Sequence, residues 1–254
     1  MNYGGGGLIE SSGEKWVLSK VVSKACQGID SPVLFDVGAN VGDYSLCLRE
    51  HVPAAIIYAF EPAETVYQEL AKRIDAAGAD LQIKPYKLGF SDSTKVVELF
   101  SYTVEGEDAS VLSSIDQRLP TQVLDVRTCR SEQVQVQTID DFCEEKRIDR
   151  IDFLKLDVEG HELSVLRGAQ RMLTAGLISM IQFEFGPANI YSRTYFYDFW
   201  SLLSNMYDIY RIVPKGIAPI SHYGEHLETF LTTNYLALKL ELHKCWRAYL
   251  RIYP

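Results

Sequence analysis

No run of apolar residues in this 254-residue chain reaches the ~20 needed to cross a bilayer, so no membrane-spanning helix is expected. The N-terminus, Met1-Asn2-Tyr3 followed by Gly4 to Gly7, has neither a basic stretch nor an apolar core, and no export signal is read there. Basic residues are in deficit, 25 lysines and arginines against 34 aspartates and glutamates. The resulting net charge of −9 lacks the cationic footprint that a nucleic-acid partner requires. The five cysteines (Cys26, Cys47, Cys129, Cys143, Cys245) are odd in number, scattered and without a C-x-x-C pair. They read as small buried apolar side chains in a reducing cytoplasm, not as disulfides or zinc ligands. Internal repeats and low-complexity linkers are also missing. One domain over residues 1–254 is therefore expected, with an N-terminal arm and helix over 1–30 and a short terminal helix over 241–254.

What is present is a pair of apolar runs that each end in an acidic residue. Val33-Leu34-Phe35 leads into Asp36-Val37-Gly38-Ala39-Asn40-Val41-Gly42, and Ile56-Ile57-Tyr58-Ala59-Phe60 leads into Glu61-Pro62. Unbroken apolar runs predict parallel strands buried on both faces. Glycines in the first turn let a ligand approach the backbone, and a carboxylate ~20 residues on can accept hydrogen bonds from a ribose. A nicotinamide dinucleotide calls for G-x-G-x-x-G, and the third glycine is missing; no lysine follows to make a phosphate loop. A nucleoside cofactor without phosphate fits better, and S-adenosyl-L-methionine is the common one. Asp36 and the turn of Gly38, Asn40 and Gly42 would then hold its amino-acid end, and Glu61 its ribose.

Further strand-then-helix units follow. Strands are predicted at Leu81–Leu88, Val96–Phe100, Ile151–Leu156, Ser179–Phe185, Tyr207–Val213 and Phe230–Leu240. Helices are predicted at Ala63–Ala77, Thr138–Arg147 with Thr138 as its cap, and Tyr195–Met206. Residues 101–133 are polar and read as irregular, and Pro214–Thr229 as a loop. The alternation implies a doubly wound, mostly parallel α/β sheet of seven strands, helices on both faces, and one antiparallel strand near the edge. Ligands bind outside the carboxyl ends of such strands, where Asp36, Glu61, Asp92, Asp157 and Glu184 all fall.

Together, Phe35 to Asp43, Phe60-Glu61-Pro62, Gly89-Phe90-Ser91-Asp92, Thr138-Ile139-Asp140-Asp141-Phe142 and Asp152 to Glu162 resemble the FkbM-like S-adenosylmethionine-dependent methyltransferases. Val165-Leu166-Arg167-Gly168-Ala169, Glu184-Phe185-Gly186 and Asn234-Tyr235-Leu236-Ala237 continue the match, over residues 30 to 240 in all. The resemblance implies the Rossmann-like class I methyltransferase fold. It also implies O-methylation, most often of a sugar hydroxyl on a glycan, glycolipid or glycosylated natural product. By position, Asp92 would approach the adenine amino group.

Methyl transfer to an alcohol requires positioning, exclusion of water and removal of a proton. His161 is the first candidate base, with Asp157, Glu159 and Glu184 beside it; Glu162 reads as a cap. A divalent cation on Asp157, Glu159, His161 and Glu184 is the alternative, opposed by the turn expected at Gly160. Ser110 and the loop carrying His222, Tyr223, His226 and Glu228 are the expected contacts for the acceptor, a small molecule or glycan. The rival readings are a catalytically inactive nucleoside-binding or scaffolding relative, and an NAD-dependent dehydrogenase disfavoured by its missing glycine.

Overall fold

The computed structural model describes residues 9–78, 82–104, 111–115 and 126–240. Ser110, the Gly4–Gly7 run, Cys245 and the expected terminal helix lie outside the described residues. In chain order the strands are β1 (Val33–Val37), β2 (Ile56–Phe60), β3 (Ile83–Tyr86), β4 (Gly89–Phe90), β5 (Lys95–Val104), β6 (Val111–Ser114), β7 (Val126–Gln137), β8 (Phe153–Leu156), β9 (Met180–Phe185), β10 (Tyr207–Val213), β11 (Gly216–Ile220) and β12 (Thr233–Lys239). The helices are α1 (Ile9–Ser12), α2 (Glu14–Val17), α3 (Ser23–Ala25), α4 (Asp43–His51), α5 (Glu64–Ala76), α6 (Ile139–Lys146), α7 (Glu162–Arg167), α8 (Gln170–Thr174), α9 (Ala188–Ser192) and α10 (Phe196–Leu203). A π-helical turn over Leu18–Val22 joins α2 to α3. Among the described residues no helix is long and apolar enough to cross a membrane.

The main sheet has the order β11-β10-β12-β9-β8-β1-β2-β3. Strands β3, β2, β1, β8 and β9 are parallel, and β12 enters antiparallel between β9 and β10. The fold class expected from the sequence is thus found, with eight strands in place of seven and a second reversed strand, β11, at the edge. That edge strand is five residues long and contains Gly216 and Pro219, which weaken any strand signal. Pro219 is tolerated there because an edge position need not donate to the ladder. A second correction concerns residues 101–133: β7 pairs antiparallel with β5 from Lys95↔Val136 to Val104↔Val126. The buried positions Leu99, Val134 and Val136 alternate with Glu98, Gln133 and Gln135, so the polar composition hid a half-buried ladder.

Helices cover both faces. Phe35, Phe60, Leu154, Phe183 and Tyr235 pack with Phe142 of α6 and Phe199 of α10 on one face. Leu34, Phe153, Met180 and Leu236 pack with Val17, Leu18 and Val21 of the N-terminal helical segment and Leu48 of α4 on the other. Thr138 caps α6 as expected, its hydroxyl accepting from the Asp141 amide at 2.9 Å. Cys26 and Cys143 are buried and Cys47 half-buried, and none of the three is in a disulfide.

Candidate active site

The ends of β1 and β2 are locked by main-chain bonds. The amides of Gly38 and Ala39 donate to the Phe60 carbonyl at 3.0 and 2.9 Å, and the Asp157 amide donates to Val37 at 3.0 Å. Glu61 closes the joint: one carboxylate oxygen accepts from the Asn40 amide at 3.1 Å and the other from Ala63 at 2.9 Å. Burial raises Glu61 to about 7 in spite of those two amides. Gly38 has a left-handed φ of 80°, and a Cβ there would overlap the Asp157 carbonyl oxygen. The glycine is therefore required by the contact between the β1 and β8 loops, a different cause from the ligand clearance its position suggests. The Gly42 amide donates to Ala39 at 2.9 Å as the chain enters α4.

Beneath this joint lies a buried polar row. Asp36, Lys155 and Gln182 stand side by side on β1, β8 and β9, in register and on the face covered by α2 and α4. Lys155 reaches Asp36 at 3.4 Å and Asp157 at 3.2 Å, and its ammonium lies 4.6 Å from the ring centre of Tyr44. Burial alone would lower its pKa, but Asp157, Asp36 and Glu14 outweigh that and hold it above the ordinary value. Ser45 donates to the second Asp36 oxygen at 2.6 Å, while Oδ1 has no hydrogen-bond partner. Gln182 donates to Glu14 at 2.6 Å and accepts from the Tyr44 hydroxyl at 2.9 Å. Glu14, Tyr44, Lys155 and Gln182 were not among the residues expected from sequence. Lys155 left a signal, a charge inside the apolar run Phe153-Leu154-Lys155-Leu156. Glu14 left none, because its partner Gln182 is 168 positions away.

The β8–α7 loop is wound around Glu162. Its carboxylate accepts from the amides of Val158 at 3.0 Å and Gly160 at 3.1 Å, and burial raises it to about 7. Glu159 and Gly160 are left-handed, at φ 55° and 99°. This turn directs His161 to Ser91, Nε2 to Oγ 3.0 Å, and Ser91 donates to Asp92 at 3.2 Å. Asp92 also pairs with Lys95 at 3.3 Å. Glu184 is half-buried. Burial first, then the charges of Asp157, Glu159, Glu162 and Glu14, drive its carboxyl well above the usual range. Asp157, Glu159, His161 and Glu184 do not close into a cation site. Among the described residues the group of ligand atoms within 4.8 Å of one another is Cys47, Glu50 and His51, at the end of α4.

The expected acceptor loop begins away from the rim, and its Tyr223 and Glu228 return to the start of α10. Strand β11 leads the chain away from the rim, Ile220 pairing with Ile209, so His222 begins at the far end of the sheet edge. His222 and His226 line a cavity of about 220 Å³ with Arg211 and Ser221. Glu228 accepts from the amides of Phe196 at 2.8 Å and Tyr197 at 2.9 Å and from the Tyr223 hydroxyl at 2.8 Å. Those two residues hold the start of α10, a structural engagement that polar composition does not distinguish from ligand contact.

A strand-end carboxylate clasping a glycine turn, with an acidic loop on the neighbouring strand, is a pattern that comparison can place. The family described as Methyltransferase FkbM domain matches residues 36–210. The chain belongs to that family. It is similar to Methyltransferase sdnD of Sordaria araneosa, 29% identical over 176 residues that cover 61% of this chain and 68% of that one. Methyltransferase 1 of Beauveria bassiana is 30% identical over 147 residues, 55% of this chain and 59% of the other. Hexuronic acid methyltransferase AglP of Haloferax volcanii is 25% identical over 159 residues, 62% and 58% of the two chains. The matches thus span roughly three-fifths to two-thirds of these relatives. The N-terminal segment bearing Glu14 precedes the family match.

Proposed function

We propose that this FkbM-family chain is an S-adenosylmethionine-dependent O-methyltransferase, acting as one domain in the cytoplasm on a sugar hydroxyl of a glycan, glycolipid or glycosylated small molecule. The observation that carries the reading is the joint at Glu61: a buried carboxylate bound to the glycine turn, beside the buried Asp36, whose Oδ1 is ion-paired with Lys155 and makes no hydrogen bond. Asp157, Asp36 and Glu14 lie about Lys155, and Glu184 lies near Asp157 and Glu14, an acceptor set suited to a cofactor carrying an ammonium and a sulfonium. When bound, the cofactor supplies an electrophilic methyl group. Glu61 accepts from the ribose hydroxyls, Asp36 and the turn Gly38–Gly42 receive the amino-acid end, and Asp92 faces the adenine. The name of the AglP relative supports a sugar acceptor.

Removal of the acceptor proton falls to Glu184. A carboxylate with a raised pKa is a stronger proton acceptor, and positive charge at the rim would favour its ionised form. His161, tied to Ser91, instead orients the Asp92 loop. Calorimetric titration with S-adenosylhomocysteine and methyl transfer to a glycan panel test the whole reading; absence of cofactor-product binding by the wild type sinks it. Glu184→Gln is expected to lower kcat by ~10²–10⁴-fold with that affinity retained. If His161→Ala abolishes turnover while Glu184→Gln does not, the histidine is the base.

A further inference from the structure

Six large apolar side chains stand exposed among the described residues, and four of them, Ile190, Tyr195, Tyr197 and Leu231, fall in two segments that meet. One segment follows β9 and the other enters β12; a Cβ on Gly186 would lie 2.9 Å from the Thr232 Cα. Ring contacts lead inward from the patch. Tyr195 lies 6.3 Å from Phe230, which lies 5.1 Å from Phe185 at the end of β9. Tyr197 meets Tyr223 edge-on at 4.9 Å. The first residue of α9 abuts the β8 loop as well, with a Cβ on Gly160 falling 2.8 Å from the Ala188 carbonyl oxygen. The patch therefore borders the rim that carries Asp157 and Glu184.

Arg193 stands within it, exposed, at the C-terminal cap of α9 with a left-handed φ of 54°. Glycine or asparagine is the usual occupant of such a cap, and a long side chain there is strained. Its guanidinium has no hydrogen bond or ion pair among the described residues, in a chain of net charge −9. The nearby carboxylates are engaged: Asp198 accepts from the Tyr195 amide at 2.9 Å, and Glu228 is committed to α10 and Tyr223. A strained, unengaged arginine in the same exposed segment as Tyr195 and Tyr197 suits a ligand with a ring face and a negative charge. Tyrosine packs on apolar ring faces, and guanidinium pairs bidentately with carboxylate or phosphate.

We propose that Ile190, Arg193, Tyr195, Tyr197 and Leu231 form the acceptor platform, and that it takes an anionic sugar; this rests on the methyltransferase reading above. Binding to the full chain is read by saturation-transfer NMR, independently of turnover. The probes are oligosaccharides ending in glucuronate, in phosphorylated glucose, or in glucose. Wild-type protein is expected to bind at least one anionic probe about five- to tenfold more tightly than the neutral one. Arg193→Ala removes that preference, Tyr195→Ala and Tyr197→Ala weaken all probes that bind, and S-adenosylhomocysteine affinity stays unchanged in each variant. Arg193→Gly, which relieves the strained cap, raises the melting temperature while losing the same preference. The two anionic probes tell carboxylate from phosphate. Equal binding of charged and neutral probes, no binding at all, or indifference to the three alanine variants overturns the platform. Loss of S-adenosylhomocysteine binding in the wild type with probe binding intact overturns the methyltransferase reading alone.

Discussion

The rim over β1, β2 and β8 and the rim over β9, β10 and β12 are built in different ways. In the first, main-chain amides and carbonyls meet one another or a buried carboxylate, as Gly38 and Ala39 meet Phe60 and Asn40 meets Glu61. In the second, side chains make the surface: Tyr195 against Phe230, Tyr197 against Tyr223, and Glu228 on the start of α10. A main-chain joint holds one geometry and tolerates little substitution. A side-chain surface can be altered at modest cost in stability, which suits the half we propose for the acceptor.

The largest test of that contrast is Lys155→Met. Asp36 is fully buried, and loss of the ammonium leaves its charge uncompensated, so a destabilisation of about 3–5 kcal/mol is expected in urea unfolding. Adding Asp36→Asn should restore part of it; an unmoved midpoint in the single variant would break the comparison at its centre. Gly38→Ala comes next, at about 1–3 kcal/mol from the left-handed backbone, and more from overlap with the Asp157 carbonyl. A variant as stable as the wild type would show that the two loops can part.

Stability should also fall as pH rises from about 4.5 to 7. Glu61 and Glu162, raised to about 7, keep their protons in the folded chain while the unfolded chain loses them, so the folded form is progressively disfavoured across that window. Glu14 and Glu184 act in the same direction. The lowered carboxyls of Glu64, Asp92 and Glu145 act at more acid pH, where their protonation removes stability. Melting temperature across pH 5–7 measures the trend, and Glu162→Gln should flatten its slope. The smallest effect belongs to the second half: Glu228→Ala unbinds two amides of α10 and should cost about 1 kcal/mol, with unchanged affinity for S-adenosylhomocysteine. A larger loss would show that the side-chain half is as rigid as the main-chain half.

Legibility followed the same division. Glu61 and Asp157 stand just past strand ends, where the runs before them placed them, the second in spite of Lys155 within its run. Asp36, expected on the same rim, lies inside β1 and is fully buried, because an apolar run does not show at which residue its strand ends. Thr138 was readable from its position before Ile139-Asp140-Asp141. Strand β11 and the β5–β7 ladder were hidden by proline, glycine and polar residues that a local pattern assigns to loops. Tyr223 and Glu228 have the composition of ligand contacts, yet their partners are the first amides of α10 and each other.

The sequence by itself determined a doubly wound α/β sheet, its acidic rim and the family to which that rim belongs, since these rest on hydrophobic runs and short motifs within a few residues of one another. Only the tertiary structure decided that Glu14 reaches Gln182, that Lys155 sits between Asp36 and Asp157, that His161 turns to Ser91, and that Tyr195 meets Phe230. Those relations depend on which strands lie adjacent and which helix faces pack. Adjacency is settled by burying all the apolar faces at once, over separations that no local pattern spans.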